Sequence, residues 1–216
     1  MKGLFITFEG IEGGGKSCQA SMLESFLKKE GYDALVLREP GGTVLGEKIR
    51  KSLLTPGYDI TQESEMLLYM AARAQIVSEV IIPALKKGTI VICDRFLDAT
   101  VCYQGYGLGV DLKVINQLNK FVTKDIVPEI TFFMDIDIQK GLERCKDAKG
   151  YKDRIEQRSI AFHKRVRQGY LKQAEAFPKR FKRIYVKDES KEDIQNIVRG
   201  IVFSVLKRSK VSGLCC

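Results

Sequence analysis

The sequence is poor in the residues from which metal centres and disulfide frameworks are built. Its 216 residues include no tryptophan, one histidine and six cysteines, and no two cysteines form a Cys-x-x-Cys pair. With His163 as the one imidazole, a zinc site is not predicted. Scattered cysteines are typical of proteins in a reducing compartment, so we expect a cytoplasmic protein with free thiols. The adjacent Cys215 and Cys216 are expected to lie in an unstructured tail.

Long apolar runs are also missing. No stretch approaches the roughly 18 uncharged apolar residues that span a bilayer. The short apolar run near the start is interrupted by Glu9, and no small-residue cleavage site follows it. Association with a membrane is therefore not predicted. Apolar residues make up 44% of the sequence and charged residues 29%, which is typical of a globular protein with a packed core.

Basic residues are in excess, and the excess is unevenly placed. The formal net charge is +9, and residues 140–216 carry 21 Lys and Arg against 9 Asp and Glu. A basic region of this kind predicts an anionic partner. Nucleic acid and the phosphates of a small molecule are both candidates, and charge alone does not choose between them.

Five short apolar, β-branched runs predict strands, and the stretches between them have helical periodicity. The predicted strands are Leu4–Glu9, Ala34–Arg38, Thr89–Asp94, Ile130–Asp135 and Arg183–Val186. The predicted helices are Lys16–Glu30, Gly46–Leu54, Glu63–Lys87, Leu112–Thr123, Gln139–Lys146, Gln157–Ala176 and Lys191–Lys207. This alternation predicts an α/β fold with a parallel sheet and helices on both faces. We expect residues 1–216 to form a single domain, with Asp147–Asp153 as a mobile surface loop.

An eight-residue motif follows the first predicted strand and opens the first predicted helix. Its residues are Gly10, Ile11, Glu12, Gly13, Gly14, Gly15, Lys16 and Ser17. The motif fits G-x-x-x-x-G-K-[ST], in which backbone N–H groups surround phosphate oxygens at the positive end of a helix. Lys16 is placed to bind the outer phosphates and Ser17 to bind Mg²⁺. The motif therefore predicts a P-loop NTPase fold that binds a nucleoside triphosphate.

Three further stretches carry charged residues that could complete such a site. Arg38 ends the second predicted strand, where a parallel sheet faces its ligand, although the Pro-Gly-Gly after it also forms plain turns. Asp94 and Arg95 end the third strand and suit Mg²⁺ and a transferring phosphoryl group, while Asp94 would also suit a helix N-cap. Arg154 follows a basic segment that could close over a triphosphate or be plainly solvated.

Two other features favour ordinary structural roles. His163 lies in a charged helical segment, and a lone histidine is not a catalytic constellation, so we expect it at the surface. The apolar stripe of Met66, Leu67, Met70, Ala71 and Ala74 has helical spacing and is expected to pack in the core or at a dimer contact.

The motifs together resemble one family. In chain order, FEGIEGGGKS, REPGGT, YMAARAQ, DRF, YQG and DRIEQ resemble the thymidylate kinases, most closely their bacterial form. The resemblance covers about residues 4–206. It implies a five-stranded parallel sheet wrapped by helices, a small mobile lid at about residues 144–154, and a homodimer. It also implies transfer of the γ-phosphate of ATP to dTMP with Mg²⁺, giving ADP and dTDP for dTTP synthesis.

The resemblance further implies roles for residues that would bind dTMP. Glu12 matches an acid near the sugar 3′-hydroxyl, and Arg38 and Arg95 match arginines that hold the phosphate. Tyr69 stands where the family usually has a phenylalanine stacked on thymine, and a tyrosine ring can stack in the same way. Arg73 matches an arginine near a carbonyl of the base.

The remaining implied roles concern the base, the sugar and the lid. Tyr103 and Gln104 match a pair that lines the base and the sugar. Arg144 and Arg154 match lid arginines of the bacterial form. Lid positions where other members carry arginines are occupied by Lys146, Lys149 and Lys152. The residues implied to act in catalysis are Lys16, Arg95, Arg144 and Arg154.

One departure from the family keeps an alternative open. Ala99 stands where many members have a serine near thymine. Loss of that hydroxyl could weaken base discrimination by ~1 kcal/mol, the value of one neutral hydrogen bond, unless Thr100 or water replaces it. A related deoxynucleotide kinase with a relaxed pyrimidine acceptor such as dUMP therefore stays possible.

Two functions from other classes of P-loop protein are less favoured. A nucleic-acid-dependent P-loop ATPase would place an acidic pair after the third strand, where this chain has Asp94 and Arg95. A GTPase-like switch would need an Asn-Lys-x-Asp motif, which the sequence lacks. Neither a nucleic-acid partner nor a membrane partner is predicted.

Overall fold

The computed structural model describes residues 3–187 and 189–212, apart from the side chains of Lys149 and residues 208–212. Cys215 and Cys216 lie outside the described residues. Within them, five strands form a parallel sheet in the order β2-β3-β1-β4-β5. The strands are β1 Phe5–Glu9, β2 Ala34–Arg38, β3 Ile90–Asp94, β4 Ile130–Ile136 and β5 Phe181–Val186. The predicted five-stranded parallel α/β sheet is therefore confirmed.

The order of the strands determines where a ligand can bind. β1 lies in the middle of the sheet, between β3 and β4, with Phe8 level with Asp94 and Phe132. From β1 the chain crosses to β2 on one side, and later to β4 on the other. A crevice therefore forms at the carboxyl edge of the sheet beside β1, where the loop after β1 and the end of β3 meet.

Helices cover both faces of the sheet. They are α1 Lys16–Lys29, α2 Val44–Leu54, α3 Gln62–Ile76, α4 Ile82–Lys87, α5 Leu97–Thr100, α6 Leu112–Thr123, α7 Ile138–Lys149, α8 Ile160–Ala176 and α9 Lys191–Ser212. Side-chain caps set several of their starts. Thr43 Oγ1 accepts from Gly46 N at 2.9 Å before α2, and Ser159 Oγ accepts from Phe162 N at 3.2 Å before α8. These caps explain why α2 begins earlier, and α8 later, than the apolar periodicity predicts.

α5 and the π-helical turn after it, Val101–Gly107, lie where no helix is predicted. The segment contains glycines and β-branched residues, which are poor helix formers, so local sequence gives little helical signal. Packing outweighs this propensity, because a Cβ at Gly107 would stand 2.6 Å from Phe162 Cε2 of α8. The close contact with α8 holds the turn in place and brings Tyr103 and Gln104 to the crevice.

Two other predicted elements differ from the structure. The predicted helix Glu63–Lys87 is divided into α3, a π-helical turn at Val77–Ile81, and α4. Pro83 near the start of α4 has no N–H for a regular helical hydrogen bond, which accounts for an irregular turn just before it. α7 continues to Lys149, so the first part of the predicted loop Asp147–Asp153 is helical.

Alternate residues of the central strands fill two apolar layers. On one face of the sheet Ile6, Phe8 and Ile92 pack with apolar residues of α1 and α9. α8 lies on the opposite face, where Tyr170 stacks on Phe133 of β4. On the other face Phe5 and Val91 pack with residues of α3, α4 and the π-helical turn between them. Every residue of β1 and β4 is buried, as is typical of parallel strands covered on both faces.

Among the described residues, one continuous helical stretch, Gln62–Lys87, is long and apolar enough to cross a bilayer by length and composition alone. Core helices of globular proteins meet the same criterion. This stretch carries Glu65 and Arg73, which are fully buried and bind residues of other elements. The stretch therefore forms part of the wall behind the crevice.

Candidate active site

The crevice beside β1 opens into a cavity of about 290 Å³. Most of the residues predicted for the site line it: Glu12, Gly13, Lys16, Ser17, Arg38, Tyr69, Asp94, Arg95, Tyr103 and Gln104. These side chains come from the loop after β1, the ends of β2 and β3, α3, and the π-helical turn Val101–Gly107. The predicted residues that lie outside the lining are Gly10, Ile11, Gly14, Gly15, Arg73, Arg144 and Arg154.

The loop between β1 and α1 wraps around the ammonium group of Lys16. Lys16 Nζ donates to Ile11 O at 2.7 Å, and the side chain is buried. Burial lowers the pKa of Lys16 to about 8, and the positive charge of Arg95 acts in the same direction. Gly13 has a φ of 70°, and a Cβ there would stand 2.1 Å from Gly141 O, so no side chain fits. An anion in the loop would stabilise this buried charge.

Ser17 and Asp94 lie side by side at the cavity wall. Ser17 Oγ donates to Asp94 Oδ2. Within residues 3–187 and 189–212 there is no group of three or more His, Cys, Asp or Glu side chains that could hold a metal ion. Mg²⁺ in nucleotide sites usually takes one or two protein oxygens and completes its coordination with phosphates and water. A hydroxyl beside a carboxylate fits that donor set.

Arg95 is held by four neighbours at the end of β3. Its φ of 71° is uncommon for a residue other than glycine. Nη1 donates to Gly10 O at 2.8 Å and lies 3.3 Å from Tyr170 Oη. Nη2 donates to Tyr103 Oη at 2.9 Å and to Glu12 Oε1 at 3.1 Å. The protein thus fixes a positive charge at the cavity wall, which is the arrangement that stabilises developing negative charge.

The prediction that His163 lies at the surface is wrong. The ring is fully buried, and Nδ1 lies 3.3 Å from Glu12 Oε2, within the range of an ion pair. Among the described residues, neither ring nitrogen of His163 has a well-directed hydrogen bond, and nor does Glu12 Oε2. Burial raises the pKa of Glu12, but His163, Arg95 and Lys16 together bring it well below its usual range. Glu12 is therefore an ionised carboxylate that faces both His163 and Arg95.

Glu9, the last residue of β1, is a second buried carboxyl group behind the site. It accepts from Tyr170 Oη and from Phe96 N, each at 2.7 Å. Burial raises the pKa of Glu9 to about 8, and the neighbouring Asp98 adds to the rise, while Arg95 opposes it. Sequence reasoning assigned Glu9 no role, because a glutamate at a strand end gives no local sign of its burial.

Arg73 lies beneath the cavity wall and not on it. Its guanidinium is buried and donates to Glu39 Oε2 at 2.7 Å, Thr100 Oγ1 at 2.8 Å, Asn119 Oδ1 at 2.9 Å and Phe96 O at 2.9 Å. Burial raises the pKa of Glu39, and the charge of Arg73 opposes that rise. In the structure Arg73 supports the wall, and a direct contact of Arg73 with a base stays a prediction.

The predicted lid arginines also lie away from the cavity. Arg154 donates through Nε to Leu53 O at 2.7 Å and through Nη2 to the buried Glu65 at 2.5 Å. Arg144 is exposed on α7, and the side chain of Lys149 lies outside the described residues. Catalytic roles for Arg144 and Arg154 therefore stay predictions.

Arg50 is a cavity residue that sequence reasoning missed. It lines the cavity together with Arg38, and its Nη1 donates to Pro40 O at 2.9 Å. Burial lowers the pKa of Arg50, and the charge of Arg38 adds to the effect. No local pattern separates Arg50 from Lys48 and Lys51 on the same helix, because only the tertiary placement of α2 turns it inward.

Comparison with known proteins identifies close relatives. The sequence pattern of the thymidylate kinase family matches residues 8–198. A thymidylate kinase of Halothermothrix orenii is 50% identical over 180 residues, covering 81% of this chain and 86% of that protein. One from Exiguobacterium sp. is 46% identical over 212 residues, covering 98% and 99%. The crystal structure of the Ehrlichia chaffeensis enzyme is similar with a TM-score of 0.71 and 37% identity, covering 85% of this chain and 93% of that one.

The buried carboxyl group of Glu9 predicts a pH dependence of stability. Its pKa of about 8 in the folded protein exceeds the ordinary 4.5, so its contribution to stability is fully present below 4.5 and is lost as pH rises through 8. A Glu9→Gln variant cannot lose this proton. We expect the free energy of unfolding of Glu9→Gln, relative to the unmodified protein, to increase steadily from about pH 5 to about pH 8.5.

Urea unfolding at several pH values measures this difference. The matched control is Glu175→Gln, the same change at an exposed position of α8, which should follow the unmodified protein. A Glu9→Gln difference that stays constant with pH would show that Glu9 titrates alike in the folded and unfolded states.

Proposed function

The chain belongs to the thymidylate kinase family and transfers a phosphoryl group from ATP to dTMP, and we propose that the cavity residues divide this work between a donor side and an acceptor side. The observation that carries the assignment of roles is that Lys16 of the phosphate-binding loop and Arg95 at the end of β3 line the same cavity. A donor phosphate held by one is then within reach of an acceptor phosphate held by the other.

The donor side is the loop Gly10–Ser17. Its backbone N–H groups would surround the ATP phosphates, with the positive end of α1 behind them. Lys16 would exchange the Ile11 carbonyl for phosphate oxygens, and its lowered pKa would rise again beside that negative charge. Ser17 and Asp94 would hold Mg²⁺, which when bound offsets the charge of the phosphate oxygens.

The acceptor side surrounds dTMP with arginines and one aromatic ring. Arg38, Arg50 and Arg95 would bind its phosphate, since all three line the cavity. Tyr69 would stack on the base. Gln104 lines the same cavity and would face the edge of the base.

Tyr103 and Glu12 lie beside Arg95 and would contact the sugar. Tyr103 Oη donates to Glu12 Oε1 at 2.5 Å, so the two oxygens form one polar surface. That surface would meet the 3′-hydroxyl of dTMP. His163 supports it from behind through Glu12.

Ala99 does not leave the base without a hydroxyl partner. Ala99 and Thr100 both line the cavity. Thr100 Oγ1 accepts from Arg73 Nη1, which leaves its hydroxyl hydrogen able to donate. A hydroxyl donor here suits the O4 edge that thymine and uracil share, and the family to which the chain belongs supports dTMP as the acceptor.

The transfer itself needs position and charge more than proton chemistry. The acceptor monophosphate has a second pKa of about 6, so its oxygen is a nucleophile near neutral pH without a general base. The main barrier is repulsion between two phosphate anions, and Lys16 and Arg95 offset it. The roles implied for Arg144 and Arg154 would come into effect if the lid segment closed over ATP and excluded water.

The homodimer implied by the resemblance finds support in an apolar outer surface. Leu67 on α3 is 53% exposed, and Phe121 on α6 is 80% exposed, with Val114 one heptad before it. α3 and α6 pack against each other. We infer that a second copy of the chain covers these side chains.

We also infer a cytoplasmic location for the enzyme. Its substrates are nucleotides. Four cysteines among the described residues are free thiols, which suits a reducing compartment.

The division of roles predicts the kinetics of two variants. Lys16→Ala and Arg95→Ala should each lower turnover with dTMP by ~10²-fold or more, because each removes a charge that the transition state needs. Lys29→Ala changes the same residue type at the exposed end of α1 and is the control. The measurement is ADP release with ATP and Mg²⁺, offering dTMP, dUMP, dCMP or no acceptor.

Several outcomes would contradict these roles. An Arg95→Ala enzyme with a raised KM for ATP and unchanged kcat would place Arg95 on the donor side. Comparable turnover of dUMP would show a relaxed pyrimidine acceptor, and ADP release without an acceptor would indicate an ATPase.

His163 predicts a contrast between two amide variants. Its Nδ1 faces Glu12, and an asparagine amide occupies roughly the place of Nδ1, whereas a glutamine amide occupies that of Nε2. We expect His163→Asn to keep most of the kcat/KM for dTMP and His163→Gln to lose ~10-fold or more. Equal losses in the two variants, at equal melting temperatures, would contradict a role of Nδ1 in orienting Glu12.

The proposed dimer surface predicts the effect of one added charge. Phe121→Glu should convert the dimer to a monomer in sedimentation experiments, because a carboxylate would be buried in an apolar contact. Phe177→Glu, at a 49% exposed phenylalanine after α8, is the control. An unmodified protein that sediments as a monomer would refute the inference.

A further inference from the structure

Glu65 of α3 is a fully buried carboxylate that binds three donors. Oε2 accepts from Arg154 Nη2 at 2.5 Å and from Arg158 Nη2 at 2.6 Å. Oε1 accepts from Gln104 Nε2 at 2.9 Å. An ionised carboxylate has no hydrogen to donate, so every group around it must present one.

This requirement decides which way the amide of Gln104 points. An amide has a donor end and an acceptor end, and only its donor end can face Glu65. The acceptor end, Oε1, is therefore turned away from Glu65. Gln104 lines the cavity, and none of the described residues donates a hydrogen bond to its Oε1. Gln104 Oε1 is therefore available to accept a hydrogen bond from a ligand in the cavity.

The bases of pyrimidine nucleotides differ at the edge that such an oxygen would read. Thymine and uracil carry an N–H donor at N3 beside the O4 acceptor. Cytosine carries a bare nitrogen acceptor at N3 beside an amino group. A carbonyl oxygen facing N3 accepts a hydrogen bond from thymine or uracil, and it is repelled by the N3 lone pair of cytosine.

We propose that Glu65 is a specificity-determining positioning residue, which selects thymine over cytosine by fixing the orientation of the Gln104 amide. The proposal rests on the proposed function, in which dTMP is the acceptor and Gln104 faces its base. Glu65 itself touches no substrate. It acts through Gln104, and the two arginines keep its charge compensated in the protein interior.

The same logic predicts what a single amide at position 65 would do. In Glu65→Gln, Arg154 and Arg158 can only donate, so the new side-chain oxygen must face them. Its NH₂ group then faces Gln104, whose oxygen must turn toward it. The NH₂ of Gln104 would now point into the cavity and offer a donor to the base. The variant therefore inverts the polarity of the cavity and does not merely weaken it.

The test compares dTMP with 5-methyl-dCMP, which keeps the methyl group and differs only at the edge that Gln104 reads. For the unmodified protein we expect kcat/KM to favour dTMP by ~10²-fold or more. In Glu65→Gln the ratio of kcat/KM for 5-methyl-dCMP to kcat/KM for dTMP should rise at least ~10-fold. The contact of Gln104 with thymine becomes unfavourable and its contact with 5-methylcytosine becomes favourable. The control is Arg158→Met, which removes one partner of the same carboxylate. It should lower the melting temperature without changing the ratio.

Gln104→Met provides a second route should Glu65→Gln fail to fold. It removes both ends of the amide, so discrimination should fall but not invert. An unchanged ratio in Glu65→Gln or in Gln104→Met would overturn the proposal, and so would a change of equal size in Arg158→Met. If the unmodified protein phosphorylates neither nucleotide, the proposed function fails. If it phosphorylates dTMP and the ratio in Glu65→Gln stays constant, only the role of Glu65 fails.

Discussion

The placement of the Arg95 guanidinium is the constraint on which the rest of the site depends. A cation that must meet two phosphates has to stay in position without them, and a free arginine side chain in water would lose that position to rotamer entropy. Here the backbone of Arg95 adopts a positive φ and its nitrogens donate to Gly10 O, Tyr103 and Glu12. Removal of any one partner leaves a buried group unpaired. The loop after β1 and the end of β3 are therefore coupled through one side chain.

The same construction recurs around the cavity. Arg95 is held by Glu12, Arg73 by Glu39, and Gln104 by Glu65. In each case a buried carboxylate accepts a hydrogen bond from the group that faces, or supports, the cavity wall. Burying a carboxylate is costly, and its stabilisation by hydrogen bonds and cations offsets that cost only when the geometry is good. The carboxylates therefore specify orientation more than they add stability.

Local sequence predicts the parts of this site that depend on the backbone. The strands of the sheet and the loop Gly10–Ser17 follow from apolar runs and from glycines at a strand end, and no tertiary information is needed. The arginines and the aspartate at strand ends follow from the same rule, since the carboxyl edge of a parallel sheet faces the ligand.

Tertiary packing decides the parts that local sequence does not predict. The turn Val101–Gly107 is helical because α8 holds it, against the propensity of its glycines. His163 looks like a surface residue among the charges of its segment, yet it lies on the buried face of α8 with Val166 and Tyr170, at spacings of three and seven. That spacing is a local signal that His163 lies on the buried face of the helix. No comparable signal marks Arg50, whose neighbours on α2 are also basic, or Glu65, whose partners come from distant segments.

The most direct test of a preset Arg95 is a crystal structure with dTMP and a non-hydrolysable ATP analogue bound together. We expect the guanidinium to stay within about 1 Å of its present position and to contact the dTMP phosphate. Glu12 and Tyr103 should remain its partners, and Lys16 should exchange Ile11 O for a phosphate oxygen. An Arg95 side chain that leaves Glu12 and Tyr103 to reach the nucleotide would contradict the account, because its charge would then be placed by the substrate and not by the protein.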